Sequence, residues 1–162
     1  MKYLVLGSGL QGRVVAYDIL QFEKGSQVIL ADIDEKNLEI AENLIKNNNL
    51  TVEKFDIYNE EETVALMSKA DVIVNSLPHT WEITERFYQA LAKTRDKKAV
   101  LTDYWLWEKH YEFDEALKKA NVLAVPGLGI VPGFGNICVG HLAHEFDQLE
   151  ETAIYCGGLP TK

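Results

Sequence analysis

Short runs of β-branched and aliphatic residues alternate with stretches of helical periodicity along most of this 162-residue chain. Several runs are continuous in Val, Ile and Leu, which is typical of parallel strands buried on both faces. The alternation therefore predicts an α/β fold in which a doubly wound parallel sheet forms the middle of three α/β/α layers. The six predicted strands cover residues 3–6, 28–31, 51–55, 72–75, 100–102 and 122–125.

The stretches between these runs carry apolar residues at helical spacing, and two of them have recognisable ends. Asn59, followed by Glu62, predicts the start of a short helix over 60–67, because an Asn side chain can accept a hydrogen bond from a free amide. Three consecutive asparagines at 47–49 predict a helix end and a loop, since Asn tolerates the left-handed conformation. After residue 125 we expect a loop rich in Pro and Gly, a helix over 134–146 and one more strand over 152–156.

The charge balance argues against two classes of partner. With 25 acidic and 16 basic residues the net charge is -9, which opposes attraction to nucleic acid and to anionic membranes. No apolar run approaches the roughly 20 residues that a membrane-spanning helix needs. The two cysteines, Cys138 and Cys156, suit a reducing compartment better than a disulfide framework or a zinc site. We therefore expect a cytoplasmic protein with neither nucleic acid nor membrane as its partner.

The first predicted strand leads directly into the segment GSGLQG at residues 7–12, and a helical stretch follows it. This glycine spacing between a strand and a helix is typical of a Rossmann-type dinucleotide-binding turn. In such a turn Gly7 permits the sharp bend, Gly9 lets the backbone approach a pyrophosphate, and Gly12 lets the helix pack closely. The candidate cofactor-binding residues of this segment are Gly7, Ser8, Gly9, Leu10, Gln11 and Gly12.

An acidic residue follows the second predicted strand where the same fold requires one. Asp32 lies 20 residues after the last glycine of the turn, where a carboxylate accepts hydrogen bonds from the adenosine ribose. Asp32, Asp34 and Glu35 would all repel a 2′-phosphate, and no arginine lies beside them. The sequence therefore predicts NAD as the cofactor, with NADP less favoured. Ile33 and Asp56, which follow the second and third predicted strands, are further cofactor-binding candidates.

Two titratable residues follow the fourth and fifth predicted strands. His79 comes after the segment 75–78 and Asp103 comes after Thr102, at the sheet edge where ligands bind in parallel α/β folds. We take His79 and Asp103 as candidate catalytic residues, because a His that titrates near neutrality can exchange a proton during hydride transfer. The alternatives are a solvated loop His and an Asp that caps the next turn.

A pair of histidines, His141 and His144, lies three residues apart on the last predicted helix. Such a spacing can begin a metal site. No third ligand is evident nearby in the sequence, and the order of residues differs from that of zinc proteases. We therefore expect a solvated helix face and no metal.

Five segments of the chain form a combined signature. They are residues 5–12, 30–34, 71–78, 132–136 and 155–160. The first two occur in many NAD-binding proteins, whereas the last two, PGFGN and YCGGLP, are much narrower. On these segments the chain resembles, over nearly its full length, the N-terminal nucleotide-binding part of the saccharopine dehydrogenase and lysine 6-dehydrogenase family.

This resemblance implies NAD(P)-linked oxidation or reduction at the amine-bearing carbon of an amino acid, with lysine or a saccharopine-like compound as substrate. It implies that Ser76, Leu77 and Pro78 lie beside the nicotinamide ribose and that residues 132–136 form the wall next to the nicotinamide. Residues 1–125 would then be the core of the cofactor domain, and residues 126–162 would lead to a second domain. In the family that domain supplies most substrate contacts and forms a homodimer.

The residues leave open whether the chain is part of a longer protein, and whether its class is a dehydrogenase, a nucleotide sensor or a methyltransferase. The chain is either a fragment of a longer enzyme, inactive by itself, or a stand-alone nucleotide-binding module. A regulatory nucleotide sensor has similar length and shares the first two segments, but it has no need for the Pro- and Gly-rich wall at 132–136. A transferase that binds a methyl donor also uses a glycine turn and an acidic residue on the ribose.

Overall fold

The computed structural model of the protein describes residues 1–101 and 108–157. Within these residues six strands form one parallel sheet: β1 (Lys2–Leu6), β2 (Gln27–Asp32), β3 (Leu50–Lys54), β4 (Val72–Asn75), β5 (Lys98–Leu101) and β6 (Leu123–Val125). Their order across the sheet is β3-β2-β1-β4-β5-β6. This is the order of a doubly wound, Rossmann-type sheet, so the predicted fold class is confirmed.

Helices cover both faces of the sheet. They are α1 (Leu10–Phe22), α2 (Glu35–Ile45), α3 (Glu60–Ser68), α4 (Trp81–Leu91) and α5 (Asp114–Lys119), which a 3-10 helix over Glu108–Phe113 precedes. A further helix, α6 (Phe134–Ala143), follows β6, and none of its residues is buried. On one face of the sheet, Val5 packs in a core cluster with Ala16 of α1 and Ala41 of α2. On the other face, Leu4 and Leu6 belong to a larger core cluster that includes residues of α3, α4 and α5. Since successive strand residues point to opposite faces, β1 is buried on both sides.

Both predicted helix ends lie where the sequence places them, although one uses a different residue. The Asn59 side chain accepts a hydrogen bond from the Glu62 amide at 3.3 Å and caps α3. At the end of α2 the left-handed residue is Lys46, with φ 47°, and not one of the three asparagines. Asn47 acts one residue later, where its side chain accepts a hydrogen bond from the Asn49 amide at 2.9 Å.

The predicted strand over 152–156 is wrong. This segment is exposed and pairs with no strand in the described parts of the chain. Its composition resembles a strand, but a strand also needs a hydrogen-bonded neighbour. Ile154 instead packs against Gly135, with its Cγ2 atom 3.2 Å from where a Cβ on Gly135 would lie. The preceding helix, predicted over 134–146, ends at Ala143.

The other predicted strand ends agree with the structure to within two residues wherever the structure describes them. The largest difference is at the start of β5, which begins at Lys98 because Lys98 and Ala99 already pair with β6. The predicted last residue of that strand, Thr102, lies outside the described residues. Among the described residues, no helix combines the length and the apolar character needed to cross a membrane.

Candidate functional site

A cavity of about 500 Å³ opens at the carboxyl ends of β1 to β4. Its volume falls within the range of small-molecule sites. Nine of the predicted site residues line it, namely Gly7, Gly9, Asp32, Ile33, Asp56, Ser76, Leu77, Pro78 and His79. The chain reverses its direction of winding between β1 and β4, so the cavity lies at the switch point where doubly wound sheets bind ligands.

At two positions of the turn after β1, neighbouring backbone atoms lie too close to leave space for a Cβ atom, so glycine is required. Gly7 has φ +93°, and a Cβ atom there would lie 2.6 Å from the Ser76 carbonyl oxygen. Its N–H donates to the Ala31 carbonyl oxygen at 2.7 Å, which ties the turn to β2. A Cβ atom on Gly12 would overlap the Gly7 carbonyl oxygen. The turn therefore joins three strands and α1 at distances that side chains would prevent.

Gly9 has a different role, because a Cβ atom there would meet nothing within 4 Å. Gly9 is the N-cap of α1 and supplies no side-chain acceptor for the first amides of this 13-residue helix. These amides and the positive end of the helix dipole favour an anion. The open space in front of Gly9 therefore fits a closely approaching pyrophosphate.

Ser76 adds a second polar group that fits a bound ligand. Its Oγ atom is buried and has no hydrogen-bond partner in the described parts of the chain. A buried hydroxyl without a partner costs free energy, so a ligand hydroxyl or amide at this position would be stabilised. The residues at the switch point thus fit a dinucleotide at both Gly9 and Ser76.

The Asp32 carboxylate holds the glycine turn in place as well as lining the cavity. Its Oδ2 atom accepts hydrogen bonds from the buried Ser8, at 2.6 Å from the amide and 3.1 Å from Oγ. Its Oδ1 atom accepts from the Asp34 amide at 2.8 Å. Because a carboxylate has about four acceptor positions, Asp32 keeps capacity for a ribose hydroxyl.

A lysine stands beside Asp32 in the sheet. Lys54 is the neighbour of Asp32 in the parallel ladder of β2 and β3. Its Nζ atom lies 2.8 Å from the Glu35 carboxylate, and this hydrogen bond and charge raise the pKa of Lys54 above its usual value. The cation nearest to Asp32 along the ladder is therefore already paired with an acidic residue.

The structure brings one of the two catalytic candidates to the cavity. His79 is half-buried and lines it together with Asp32 and Asp56. Asp103 lies outside the described residues. The catalytic role of both residues stays a prediction.

Two residues of the glycine segment lie elsewhere. Leu10 and Gln11 line a separate apolar groove, which they share with Val14, Leu128 and Ile130. Leu10 is 80% exposed, since its side chain projects from the outer face of α1. The position of these two residues in the motif therefore does not bring their side chains into the larger cavity.

Six residues that line the cavity are not among the predicted site residues, namely Asp34, Asn37, Phe55, Ile57, Tyr58 and Ile83. Tyr58 follows Asp56 by two residues, so the rule that ligands bind at strand ends could have found it. Asn37 and Ile83 lie inside helices, where the sequence shows only an apolar stripe or an unremarkable polar residue.

The Pro- and Gly-rich loop before α6 is ordered by its own backbone. The Gly129 amide donates to the Pro132 carbonyl oxygen at 3.0 Å. Gly133 has φ +127° and donates its amide to the Asn136 side chain, also at 3.0 Å. These hydrogen bonds give the loop a defined shape, and its role as a wall beside the nicotinamide stays a prediction.

The two histidines of the last helix are exposed. His141 lies in the last turn of α6, and His144 caps its end. Across residues 1–101 and 108–157, no group of three or more potential metal-ligating side chains is found.

Comparison with known proteins identifies the family. The family model described as the saccharopine dehydrogenase NADP-binding domain matches residues 3–125. Among curated proteins, the chain is 26% identical over 162 residues to saccharopine dehydrogenase [NADP(+), L-glutamate-forming] of Pyricularia oryzae. That match covers 97% of this chain and 34% of the relative, so the chain spans about a third of the relative's length. These descriptions name NADP and give no support to the predicted preference for NAD.

Solved structures show the same fold. The apo saccharopine dehydrogenase (L-Glu forming) of Saccharomyces cerevisiae matches with a TM-score of 0.74 and 16% identity, over 89% of this chain and 31% of that one. Shikimate 5-dehydrogenase of Listeria monocytogenes, solved with shikimate and NAD, matches with a TM-score of 0.56 and 13% identity, over 80% of this chain and 46% of that one. With the family model matched over the whole sheet, this chain belongs to the family of saccharopine dehydrogenase NADP-binding domains.

Proposed function

We propose that this chain is the dinucleotide-binding part of an oxidoreductase that acts on a carbon–nitrogen bond of an amino acid, with lysine or a saccharopine-like compound as substrate. The observation that carries the proposal is the N-terminus of α1, which Gly9 leaves open beside the Asp32 carboxylate. A nicotinamide cofactor, when bound, donates or accepts a hydride. Family membership supports the same class of reaction.

Different residues of the cavity bind different parts of the dinucleotide. The α1 amides behind Gly9 stabilise the negative charge of the pyrophosphate, and Asp32 accepts hydrogen bonds from the adenosine ribose. The Ser76 hydroxyl, which is buried without a partner among the described residues, orients the second ribose. In this proposal the segment 132–136, which the hydrogen bond from the Gly133 amide to the Asn136 side chain orders, forms the wall next to the nicotinamide.

We further propose that this chain prefers NAD, although the names of its relatives specify NADP. No Lys or Arg side chain is among the described residues that line the cavity, and Asp32 and Asp34 both line it. The pairing of Lys54 with Glu35 supports the proposal, because it reduces the positive charge available to a 2′-phosphate.

The substrate, in this proposal, is held by residues outside this chain. A substrate carboxylate needs a cationic partner, and the described cavity lining offers none. The chain also spans only about a third of its curated relative. We propose that the remaining part of the enzyme supplies this cation and forms a homodimer.

The chain alone is therefore expected to bind the cofactor without turning over an amino acid, because hydride transfer requires the substrate carbon to be held over the nicotinamide. The test follows NADH formation spectroscopically with lysine, saccharopine and other amino acids, for the 162-residue chain and for any longer reading frame that contains it. Activity is expected from the longer protein only. Steady turnover proportional to the concentration of the 162-residue chain would contradict this expectation.

His79 is tested in the longer, active protein. If His79 is a general acid or base, His79→Ala lowers kcat by about 10²–10⁴-fold and leaves the dissociation constant of the cofactor nearly unchanged. Thr80→Ala, at the exposed neighbouring N-cap of α4, serves as the matched control. If His79→Ala weakens cofactor binding and leaves kcat unchanged, His79 is not a general acid or base and only lines the cofactor site.

A further inference from the structure

Tyr58 forms part of the rim of the cofactor cavity. It lines the cavity together with Ile33 and Asp56, yet 51% of its surface is exposed. Its backbone is fixed, because the Tyr58 amide donates to the Asp56 carboxylate at 2.9 Å. Ile33 and Asp56 follow β2 and β3, on the same side of the switch point as Asp32. The ring therefore lies at the adenosine end of the proposed dinucleotide site.

Arg86 of α4 holds this ring from behind. The guanidinium carbon of Arg86 lies 4.5 Å from the centre of the Tyr58 ring, which is the geometry of a cation–π contact. The Nε atom of Arg86 is buried and has no hydrogen-bond partner in the described parts of the chain. Its terminal nitrogen approaches Glu82 at 3.6 Å, one helical turn earlier. The guanidinium thus lies over the ring.

The ring stands between the guanidinium and the cavity. Tyr58 lines the cavity, whereas Arg86 is not among its lining residues. The guanidinium lies over one face of the ring, and we take the opposite face as the one that borders the cavity, where a planar ligand group can pack. A nucleobase has the flat π-surface that stacks on such a face, with little dependence on which base it is.

We infer that Tyr58 is the stacking platform for the adenine base of the cofactor and that Arg86 is a positioning residue, which fixes the platform by packing on its far face. This inference rests on the proposed dinucleotide-binding function. It adds an affinity determinant that the glycine turn and Asp32 do not supply. Neither the Tyr58 hydroxyl nor a direct contact of Arg86 with the cofactor is required.

The test measures dissociation constants by calorimetry for ADP-ribose, which contains adenine, and for nicotinamide mononucleotide, which does not. Tyr58→Leu is expected to weaken ADP-ribose binding by about 5- to 20-fold, which is the lower part of the range of base–aromatic stacking, and to leave the mononucleotide unchanged. Tyr58→Phe keeps the ring and is expected to bind ADP-ribose within about twofold of the unmodified chain.

Arg86 is tested by a double-mutant cycle with the same two ligands. Arg86→Met is expected to weaken ADP-ribose binding by about 2- to 5-fold, and Arg86→Lys to restore part of that loss, because a cation over the ring is regained. In the Tyr58→Leu background, Arg86→Met should have no further effect, since there is no ring to position. Thermal melts of each variant check that the fold is retained.

The outcomes separate the inference from the function on which it rests. If the unmodified chain binds ADP-ribose and Tyr58→Leu binds it equally well, the stacking platform is wrong while the proposed function stands. If Arg86→Met has the same effect with and without the Tyr58 ring, the positioning role is wrong. If the unmodified chain binds neither ADP-ribose nor NAD, both the inference and the proposed function fail.

Discussion

Gly12→Ala is expected to lower the free energy of unfolding by about 3 kcal/mol or more, because its new Cβ atom would overlap the Gly7 carbonyl oxygen. This oxygen cannot easily move away. The Gly7 amide is hydrogen-bonded to the Ala31 carbonyl oxygen, and the Ser76 carbonyl oxygen lies 2.6 Å from where a Cβ atom on Gly7 would be. Urea denaturation followed by circular dichroism measures the change in the free energy of unfolding.

Gly9→Ala is the matched comparison, since a Cβ atom at Gly9 meets nothing within 4 Å and its φ of -63° suits any residue. We expect its free energy of unfolding to stay within about 1 kcal/mol, while dinucleotide affinity falls by about tenfold or more, because the methyl group occupies the space for the pyrophosphate. Gly140→Ala, in open space on α6, should weaken neither property. A Gly12→Ala variant as stable as the unmodified chain would contradict the close packing described at this turn.

The second large effect concerns the choice of cofactor. We expect the unmodified chain to bind NAD at least about tenfold more tightly than NADP. The reason is that the Asp32 carboxylate accepts hydrogen bonds from the adenosine ribose of NAD but repels the 2′-phosphate of NADP. Asp32→Ala should remove most of this difference by weakening NAD and strengthening NADP. Dissociation constants of both cofactors, measured by fluorescence titration at one ionic strength, check the result.

Asp32 also bonds to Ser8, so a control must separate the charge of the carboxylate from its support of the turn. Ser8→Ala removes the hydroxyl bond and leaves the carboxylate, and its preference for NAD should be unchanged. Glu35→Gln releases Lys54 from its ion pair and should raise NADP affinity alone. Equal affinities of the unmodified chain for NAD and NADP would show that Asp32 does not set the preference.

The fold could be predicted from the sequence because the strands are short, most of them are apolar, and a change of period follows each one. The glycine turn could be predicted from the spacing of Gly7, Gly9 and Gly12 between a strand and a helix, although the close approach of Ser76 to Gly7 is visible only in the structure. The prediction of a strand over 152–156 was wrong because composition indicates only that a segment has a preference for the β conformation. Whether it pairs depends on a neighbouring strand, which the sequence does not reveal.

The site could be predicted only as far as its residues follow strand ends. Asp32 was found by its spacing, but its bonds to Ser8 depend on how the turn folds back across β2. The contact between Tyr58 and Arg86 joins residues 28 positions apart on separate elements, so no local pattern marks it. Contacts of this kind depend on the packing of α4 against the loop after β3.

The central claim is that the open N-terminus of α1 and the cavity beside it hold a nicotinamide dinucleotide. The most direct test is calorimetric titration of the 162-residue chain with NADH, NADPH and S-adenosylmethionine, repeated with Gly9→Ala. We expect one NADH per chain, weaker binding of NADPH, no binding of S-adenosylmethionine, and at least about tenfold weaker NADH binding by the variant. Binding of S-adenosylmethionine in place of either dinucleotide, or NADH binding that Gly9→Ala leaves unchanged, would contradict the claim.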